Sequence, residues 1–291
     1  MGLLRRLNNF IHMIELTNII LQRAKLNKRK IAIGIIRPIP ETIESLKKAS
    51  EFADLVVVGA KVDGFNNIVE ENDDEASRII IKLLKEGKVD GIVRGQVKDS
   101  FTLDEFHRQF GKEPLPSNRK VAFALLQKGD YCFSVSTCSI YQGMTLEDKI
   151  YEVDCIIEYM VKMGIKPKIG VMSSLRPTSK VGKYSSLDEI AAINRQLTKY
   201  LQDKGYDTKE YYFEYETAVW EGCSLIIPAT GLVGNAWMKA LMYLGEWKLL
   251  ACPYLNMGVI YEDGSRNEKD FYWHIVHCVA MANGFGRIGK A

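Results

Sequence analysis

The chain has 291 residues, of which 47% are hydrophobic and 26% are charged. This balance is typical of a globular protein, and at about 100–200 residues per domain the length predicts about two lobes. The formal net charge of +3 is too small to indicate a nucleic-acid partner, which normally requires a concentrated basic stripe. No apolar run approaches the ~20 residues that cross a bilayer, so we expect no membrane span and a cytoplasmic protein.

The six cysteines are scattered along the chain. None forms a CxxC pair or lies at zinc-finger spacing from a histidine, so we predict no metal site. We interpret the cysteines as buried free thiols in a reducing compartment.

In chain order, residues 1–30 carry apolar side chains at helical spacing, which predicts an amphipathic helix packed on its own domain or on a partner subunit. Short apolar runs then alternate with helical patterns. The predicted strands are 31–36, 55–58, 91–93, 168–172, 225–227 and 249–252. The predicted helices are 41–52, 74–85, 187–204, 236–244 and 270–281. Such alternation predicts an α/β fold with a mainly parallel sheet covered on both faces.

The polar, proline-bearing segment 111–118 predicts a lobe boundary. After it, residues 121–126 and 131–137 alternate around Lys128-Gly129-Asp130, which is a hairpin signal. A hairpin inside an α/β chain predicts a second lobe whose sheet is partly antiparallel.

Two strand–loop–helix segments carry cations and hydroxyls that suit a phosphate or carboxylate. Loops at the carboxyl ends of parallel strands offer free backbone N–H groups and the positive end of a helix dipole. The segment 92–100 adds Arg94, Lys98 and Ser100, and taken alone it is also compatible with a solvated loop. The segment 169–183 resembles a phosphate cradle or a capped polar loop. Its candidate ligand groups are Ser173, Ser174, Thr178, Ser179 and Lys180.

Two further segments lead into predicted helices. The segment 225–236 contains Gly234 and Asn235, and Asn235 is the predicted N-cap of the helix that starts at residue 236. This loop is neither a P-loop nor a GxGxxG motif, although its glycines let the backbone approach a ligand closely. The segment 263–270 contains Ser265, Arg266 and Asp270, and an acid at this position also has an ordinary helix-dipole explanation.

Taken in order, these segments resemble the phosphate acetyltransferase and phosphate butyryltransferase family. The counterparts of the family's loops are 87–100, 171–183, 226–244 and the pair Ser265-Arg266. The segment 145–149 also resembles the butyryl branch, and the similarity is collinear from about Ala76 to Ala280. The whole pattern is more similar still to the archaeal MtxX, or methanogenesis-marker, branch, which is named as subunit X of a methyltransferase.

The resemblance implies a two-lobed fold of the isocitrate/isopropylmalate-dehydrogenase-like type with mainly parallel sheets. Residues 1–112 and 256–291 would form lobe I, and residues 113–255 would form lobe II, which would mediate homodimerisation. A small anionic ligand would lie in the cleft between the lobes.

The resemblance also implies roles for three residues. Arg266 would stabilise negative charge on a phosphoryl or carbonyl oxygen, and Ser265 would hydrogen-bond a developing oxyanion. Asp270 would act as a base toward a thiol or would orient Arg266. The cofactor would be CoA or another anionic thiol or phosphate compound.

Three functions stay open. In the first, the chain is a methyltransferase subunit of methanogenesis, with corrinoid methyltransferase subunits as partners. In the second, it is an enzyme that transfers acyl groups between CoA and phosphate. In the third, it is a non-catalytic ligand-binding or scaffold subunit. Two departures from the acyltransferase pattern motivate the third function. Asp270 follows Arg266 by four residues instead of six, and Glu105 stands where the family has an arginine.

Overall fold

The computed structural model describes residues 16–111, 120–136 and 141–285. These residues form two compact units. The first unit comprises residues 18–111 and 250–285, and the second comprises residues 16–17, 120–136 and 141–249. Most of the predicted N-terminal helix and of the predicted boundary at 111–118 lies outside the described residues.

Helices and strands alternate along most of the described chain. Residues 16–24 are helical and are called α1. They are followed by β1 (Arg29–Ile35), α2 (Pro40–Ala49), β2 (Ala53–Gly59), β3 (Asn66–Val69), α3 (Asp73–Lys85), β4 (Gly91–Val93) and α4 (Asp99–Phe110). The middle of the chain contains β5 (Phe123–Lys128), β6 (Tyr131–Ser136), α5 (Leu146–Lys162), β7 (Lys168–Met172), α6 (Ser185–Asp203), β8 (Asp207–Tyr212) and α7 (Tyr215–Trp220). The last elements are β9 (Leu225–Ile227), α8 (Gly231–Tyr243), β10 (Lys248–Ala251), β11 (Pro253–Tyr254), β12 (Tyr261–Glu262) and α9 (Tyr272–Phe285).

The sheet of the first unit has six strands in the order β11-β12-β4-β1-β2-β3. Its pairs are parallel from β12 to β3, and only β11 pairs antiparallel. Helices α3 and α9 both pack on β1, β2 and β4, while α3 also contacts α4 and α9 also contacts α2. The two helix pairs therefore cover both faces of the sheet, which explains why Ile31, Ile33 and Val57 are completely buried.

The sheet of the second unit has six strands in the order β10-β5-β6-β9-β7-β8. Strands β6, β9, β7 and β8 pair in parallel, whereas β5 and β6 form an antiparallel hairpin. The hairpin turns at Gly129, whose φ of +55° suits glycine. The predicted hairpin and the predicted α/β fold with mainly parallel sheets are both confirmed.

Helix starts account for the main differences from the predicted elements. The predicted start at residue 236 and the predicted Asn235 cap are wrong, because Thr230 is the N-cap of α8 and its side chain accepts from the N–H of Val233. Asn235 lies inside this helix. Helix α9 begins at Tyr272 instead of residue 270, and α2 begins at Pro40, a residue that favours the first helical turn. None of the helices within the described ranges is both long enough and apolar enough to span a bilayer.

Candidate functional site

The predicted site residues divide between the two units. The segments 92–100 and 263–270 follow β4 and β12, which are neighbouring parallel strands of the first unit. Their carboxyl ends therefore bring Arg94 and Asp263 together. The segments 169–183 and 225–236 follow β7 and β9, which are neighbours in the second unit.

Arg94 is buried and holds the segment that leads to Ser265. Its side chain is only 3% exposed. The guanidinium donates from Nε to the Asp263 carboxylate, from Nη2 to the Gly264 carbonyl, and from Nη1 to the Val97 carbonyl at 2.6 Å. These partners occupy most of the donors of the guanidinium, so the structure places Arg94 as a support between the two loops.

The Arg94–Asp263 pair is a buried ion pair. Burial raises the pKa of Asp263 to about 6, and the Arg94 guanidinium opposes this rise. Burial lowers the pKa of Arg94, whereas Asp263, Tyr261 and Asp99 together raise it by more, so the net direction is upward. Because arginine does not lose its proton in proteins, the pair is ionised above the pKa of Asp263.

Ser265, Arg266 and Asp270 lie in the loop between β12 and α9. Ser265 closes a tight turn, since its Oγ accepts from the N–H of Asn267 at 3.2 Å and its carbonyl accepts from the N–H of Glu268. Arg266 is 48% exposed and pairs with Asp73 at 2.7 Å. Asp270 accepts from the N–H of Tyr272 at 3.0 Å, so its carboxylate caps the start of α9.

Helix α2 fixes the far end of this loop. Thr42 donates from Oγ to the carbonyl of Lys269 at 2.9 Å. Ser45 accepts at Oγ from the N–H of Phe271 at 3.1 Å. Both side chains are buried, so the backbone on either side of Asp270 is held in one position.

Cations near this loop already have carboxylate partners. Arg266 pairs with Asp73, and Lys98, the residue before α4, pairs with Asp74 at 3.0 Å. Ser100 is exposed in the first turn of α4. An anion that binds to these cations therefore has to displace an aspartate, which reduces the net free energy of binding.

A cluster of buried titratable groups, which the sequence patterns did not predict, lies beneath the same loop. Glu262 is completely buried and contacts His274 Nδ1 at 3.1 Å and His277 Nδ1 at 2.7 Å. The backbone N–H of Cys252 also donates to its carboxylate at 2.5 Å. The spacing of three residues places His274 and His277 on one face of a helix, which is a local signal, but their contact with Glu262, 12 residues before His274, depends on the tertiary structure.

The second unit contains a surface pocket of about 480 Å³ between the β7–α6 loop and the start of α6. Its polar wall combines three cations with two hydroxyls, and its apolar wall contains aliphatic and aromatic side chains. The polar residues are Ser174, Arg176, Ser179, Lys180, Lys183 and Asp188. The apolar residues are Leu175, Tyr184, Leu187 and Phe213.

The charge of this pocket is positive. Within the described part of the chain, neither Lys180 nor Lys183 forms an ion pair, and Arg176 is 3.9 Å from Glu214. The one acid that lines the pocket, Asp188, accepts from the N–H of Gly182 at 2.8 Å. Pockets of about 300–1,000 Å³ hold small organic ligands, so this one suits an anion that carries an apolar group.

The pocket brings together three of the predicted cradle residues, Ser174, Ser179 and Lys180. Ser174 donates from Oγ to the carbonyl of Leu187 at 2.5 Å, and Ser179 accepts at Oγ from the N–H of Arg176 at 2.9 Å. Ser173 is completely buried at the end of β7, and Thr178 is exposed outside the pocket lining.

The neighbouring β9–α8 loop rests on a buried lysine. Lys149 donates from Nζ to the carbonyl of Pro228 at 3.0 Å and is 1% exposed. Burial lowers the pKa of Lys149 to about 8, although Glu152 opposes the shift. Gly234 is buried in the first turns of α8, and Asn235 lies beside it.

Curated proteins of Methanosarcina species, each named "Putative methyltransferase mtx subunit X", are similar to this chain along most of its length. The protein from Methanosarcina mazei is 29% identical over 284 residues, which cover 96% of this chain and 98% of that protein. The protein from Methanosarcina barkeri is 28% identical over 274 residues, which cover 92% of this chain and 97% of that protein. No protein-family model matches the chain.

Solved phosphotransacetylases share the fold. The EutD phosphotransacetylase from Staphylococcus aureus has a TM-score of 0.62 at 16% identity and covers 93% of this chain and 99% of its own. A branched-chain phosphotransacylase from Enterococcus faecalis has a TM-score of 0.59 at 16% identity and covers 87% of this chain and 99% of its own. The chain is therefore similar in sequence to the mtx subunit X proteins and in fold to the phosphotransacetylases, as its motifs predicted.

Proposed function

We propose that this chain is a transferase-type subunit that binds a phosphate- or CoA-like organic anion in the cationic pocket of the second unit. The observation that carries the proposal is the presence of Lys180 and Lys183, without ion-pair partners in the described chain, beside Ser179, whose Oγ accepts from the N–H of Arg176 and retains its own proton for a ligand. Cations and hydroxyls together satisfy the oxygens of a phosphate.

The apolar wall of the pocket narrows the ligand class. Tyr184, Leu187 and Phe213 are 59%, 37% and 47% exposed, so part of their apolar surface can contact an organic group attached to the anion, although the Lys183 ammonium lies over the Tyr184 ring. Burying apolar surface adds about 25 cal/mol per Å² to binding. The pocket therefore favours a phosphorylated organic compound such as CoA over free inorganic phosphate.

The resemblance to the acyltransferases implies that Ser265 and Arg266, in the first unit, assist the transfer step, and this role is proposed independently of the pocket in the second unit. In acyl transfer, the CoA sulfur would attack the carbonyl carbon of an acyl phosphate and the carbon–oxygen bond to phosphate would break. Phosphate would leave with the electron pair, and the thiol proton would pass to Asp270. Arg266 would leave Asp73 and stabilise the departing oxyanion.

The name of the Methanosarcina relatives supports a methyl group as the group transferred. In that case the anion is the carrier or acceptor of a methyl group, and corrinoid methyltransferase subunits are the partners. A non-catalytic role would retain the pocket alone, with the ligand bound but not converted.

Calorimetric titration of the purified chain with CoA, pantetheine and inorganic phosphate tests the binding proposal. We expect CoA to bind at least tenfold more tightly than pantetheine, which lacks the phosphates, and than free phosphate. The double variant Lys180→Ala/Lys183→Ala should weaken CoA binding at least tenfold. Lys199→Ala, which removes an exposed lysine on α6 outside the pocket lining, is the matched control.

Two results would count against the proposal: no binding of CoA or phosphate by the native chain, or equal CoA binding by the native chain and the double variant. Turnover assays with acyl-CoA and phosphate then separate the alternatives. Loss of turnover in Arg266→Ala with intact CoA binding supports acyl transfer. Binding without turnover directs the search to methyl donors and to a ligand-binding role.

We also propose that the chain forms a homodimer through α8. Only Gly231 and Gly234 of this helix are buried, although the helix is largely apolar, and Leu232, Tyr243 and Leu244 are 61%, 56% and 85% exposed. The helix has a single charged residue, Lys239, so it presents no charge pattern for a different partner. A twofold axis lets two copies of such a face cover each other.

A further inference from the structure

The cluster of Glu262, His274 and His277 lies under the loop that carries Ser265 and Arg266, and the proposed function does not use it. All three side chains are completely buried. Glu262 Oε1 contacts His274 Nδ1 at 3.1 Å, and Glu262 Oε2 contacts His277 Nδ1 at 2.7 Å. One carboxylate therefore bridges two imidazoles that lie one turn apart on α9.

The chemistry of the carboxylate fixes where the mobile proton lies. An ionised carboxylate only accepts hydrogen bonds, so each Nδ1 carries a proton and donates it to Glu262. The atom of His274 that gains or loses a proton is therefore Nε2. This atom is buried and has no hydrogen-bond partner among the described residues.

The ring of His274 lies directly beneath Gly264, the residue before Ser265. A methyl group placed on Gly264 would stand 3.3 Å from His274 Cε1 and 3.5 Å from Nε2. Gly264 is also the residue whose carbonyl accepts from Arg94. The start of the Ser265 turn therefore lies between Arg94, which stays charged, and His274, which can gain or lose a proton.

Carboxylates surround His274 on the sides of β12 and of the loop. Burial lowers the pKa of His274, but Glu262, Glu268 and Asp263 together raise it above its ordinary value of 6.5. His277 on the same helix shares Glu262, and Arg94 from the end of β4 offsets the charge of Asp263. Burial raises the pKa of Glu262, but His277 and His274 lower it by more, so this carboxylate stays ionised beside a protonated His274.

We propose that His274 is a positioning residue for the Ser265–Arg266 turn, and that its imidazolium form holds the turn through the negative charges of Asp263 and Glu268. When Nε2 releases its proton to solvent, the carboxylates of Glu262, Asp263 and Glu268 lose a counter-charge in a buried site. Their mutual repulsion then loosens residues 264–268. The effect on transfer rests on the proposed role of Arg266, whereas the effect on the loop does not.

The sign of the pH dependence follows from the raised pKa. His274 binds its proton more tightly in the folded chain than in the unfolded chain. Its stabilising contribution is complete below a pH of about 6.5 and is lost as the pH rises through the raised value. The loop should therefore be most rigid just below the His274 midpoint, because Asp263, whose pKa burial raises to about 6, loses its charge at lower pH.

Two ligand-free measurements test the inference. Nuclear magnetic resonance of histidine labelled at carbon ε1 gives the midpoint of His274, and His274→Gln assigns the signal. Hydrogen exchange of the amides of residues 264–268, corrected for the intrinsic pH dependence, reports the loop. We expect exchange to accelerate at least fivefold as the pH passes the His274 midpoint, and to be fast at every pH in His274→Gln.

His277→Gln is the matched control, because it alters the other contact of Glu262 and leaves the ring under Gly264. This variant should retain the pH-dependent exchange. Exchange that is independent of pH in the native chain, or a His274 midpoint that does not coincide with the change in exchange, would overturn the inference even if His274→Gln does not fold. Calorimetry with CoA separates the two proposals, since a native chain without CoA affinity contradicts the proposed function alone.

Discussion

The Arg94 guanidinium donates to the Asp263 carboxylate from the neighbouring strand end, and it also donates to the carbonyl of Gly264. One buried cation thus joins the β4–α4 loop to the loop that carries Ser265 and Arg266. Because Arg94 is 3% exposed, its charge acts on these chain partners and not on solvent.

Removal of Arg94 should destabilise the fold strongly. Arg94→Met leaves the Asp263 carboxylate buried without its partner, and we expect a loss of about 3–5 kcal/mol in the free energy of unfolding. Urea titration measures this loss. The double variant Arg94→Met/Asp263→Asn should recover part of it, because the unpaired charge is gone. Equal stabilities of the single and double variants would contradict a charge-pairing role.

Gly95 should tolerate no side chain. Its φ is +66°, and an added Cβ would stand 2.1 Å from the carbonyl oxygen of Gly34. Gly129 has a similar φ of +55° but has open space around it, so Gly129→Ala isolates the backbone cost, about 1–2 kcal/mol. We expect Gly95→Ala to lower the free energy of unfolding by clearly more than Gly129→Ala in urea titrations. Equal losses would show that the β4–α4 turn can shift away from β1.

Lys149 should make stability rise with pH in the alkaline range. Its pKa of about 8 is below that of an unfolded lysine, 10.5, so the unfolded chain binds more protons between these values. The free energy of unfolding therefore increases with pH there, by at most about 1.4 kcal/mol per pH unit. Lys149→Met should lack this increase. The free energy of unfolding of the native chain minus that of the variant should therefore increase from pH 7 to pH 9. A constant difference would contradict the shift.

The proposed dimer should dissociate when charge is placed on α8. We expect Leu232→Asp and Leu244→Asp to convert the native chain from a dimer to a monomer, because an unpaired carboxylate in an apolar interface is costly. Light scattering after gel filtration measures the mass. Leu26→Asp is the control, because Leu26 is 64% exposed, close to the 61% of Leu232, but lies in the first unit. A monomeric native chain would refute the interface.

Sequence patterns predicted β4, β7 and β9 with their observed bounds. Each is a short apolar run between turn residues, and burial on both faces makes such a run recognisable without its neighbours. The start of α8 was not predictable in this way, because Thr230 and Asn235 are both good N-caps. The structure selects Thr230, where the carbonyl of Gln142 also accepts from the N–H of Gly231.

The candidate sites also divide into features that are local in sequence and features that depend on long-range contacts. Hydroxyls and cations that are close in sequence, Ser174, Ser179 and Lys180, do line one pocket, since a single loop places them. The sequence could not reveal that Arg94 is occupied by Asp263, 169 residues away, or that Glu262 bridges His274 and His277. The sequence by itself determined the alternation of strands and helices, because apolar periodicity is local. Only the tertiary structure decided which polar groups are paired and which remain available, because pairing depends on strand ends that meet through long-range sheet order.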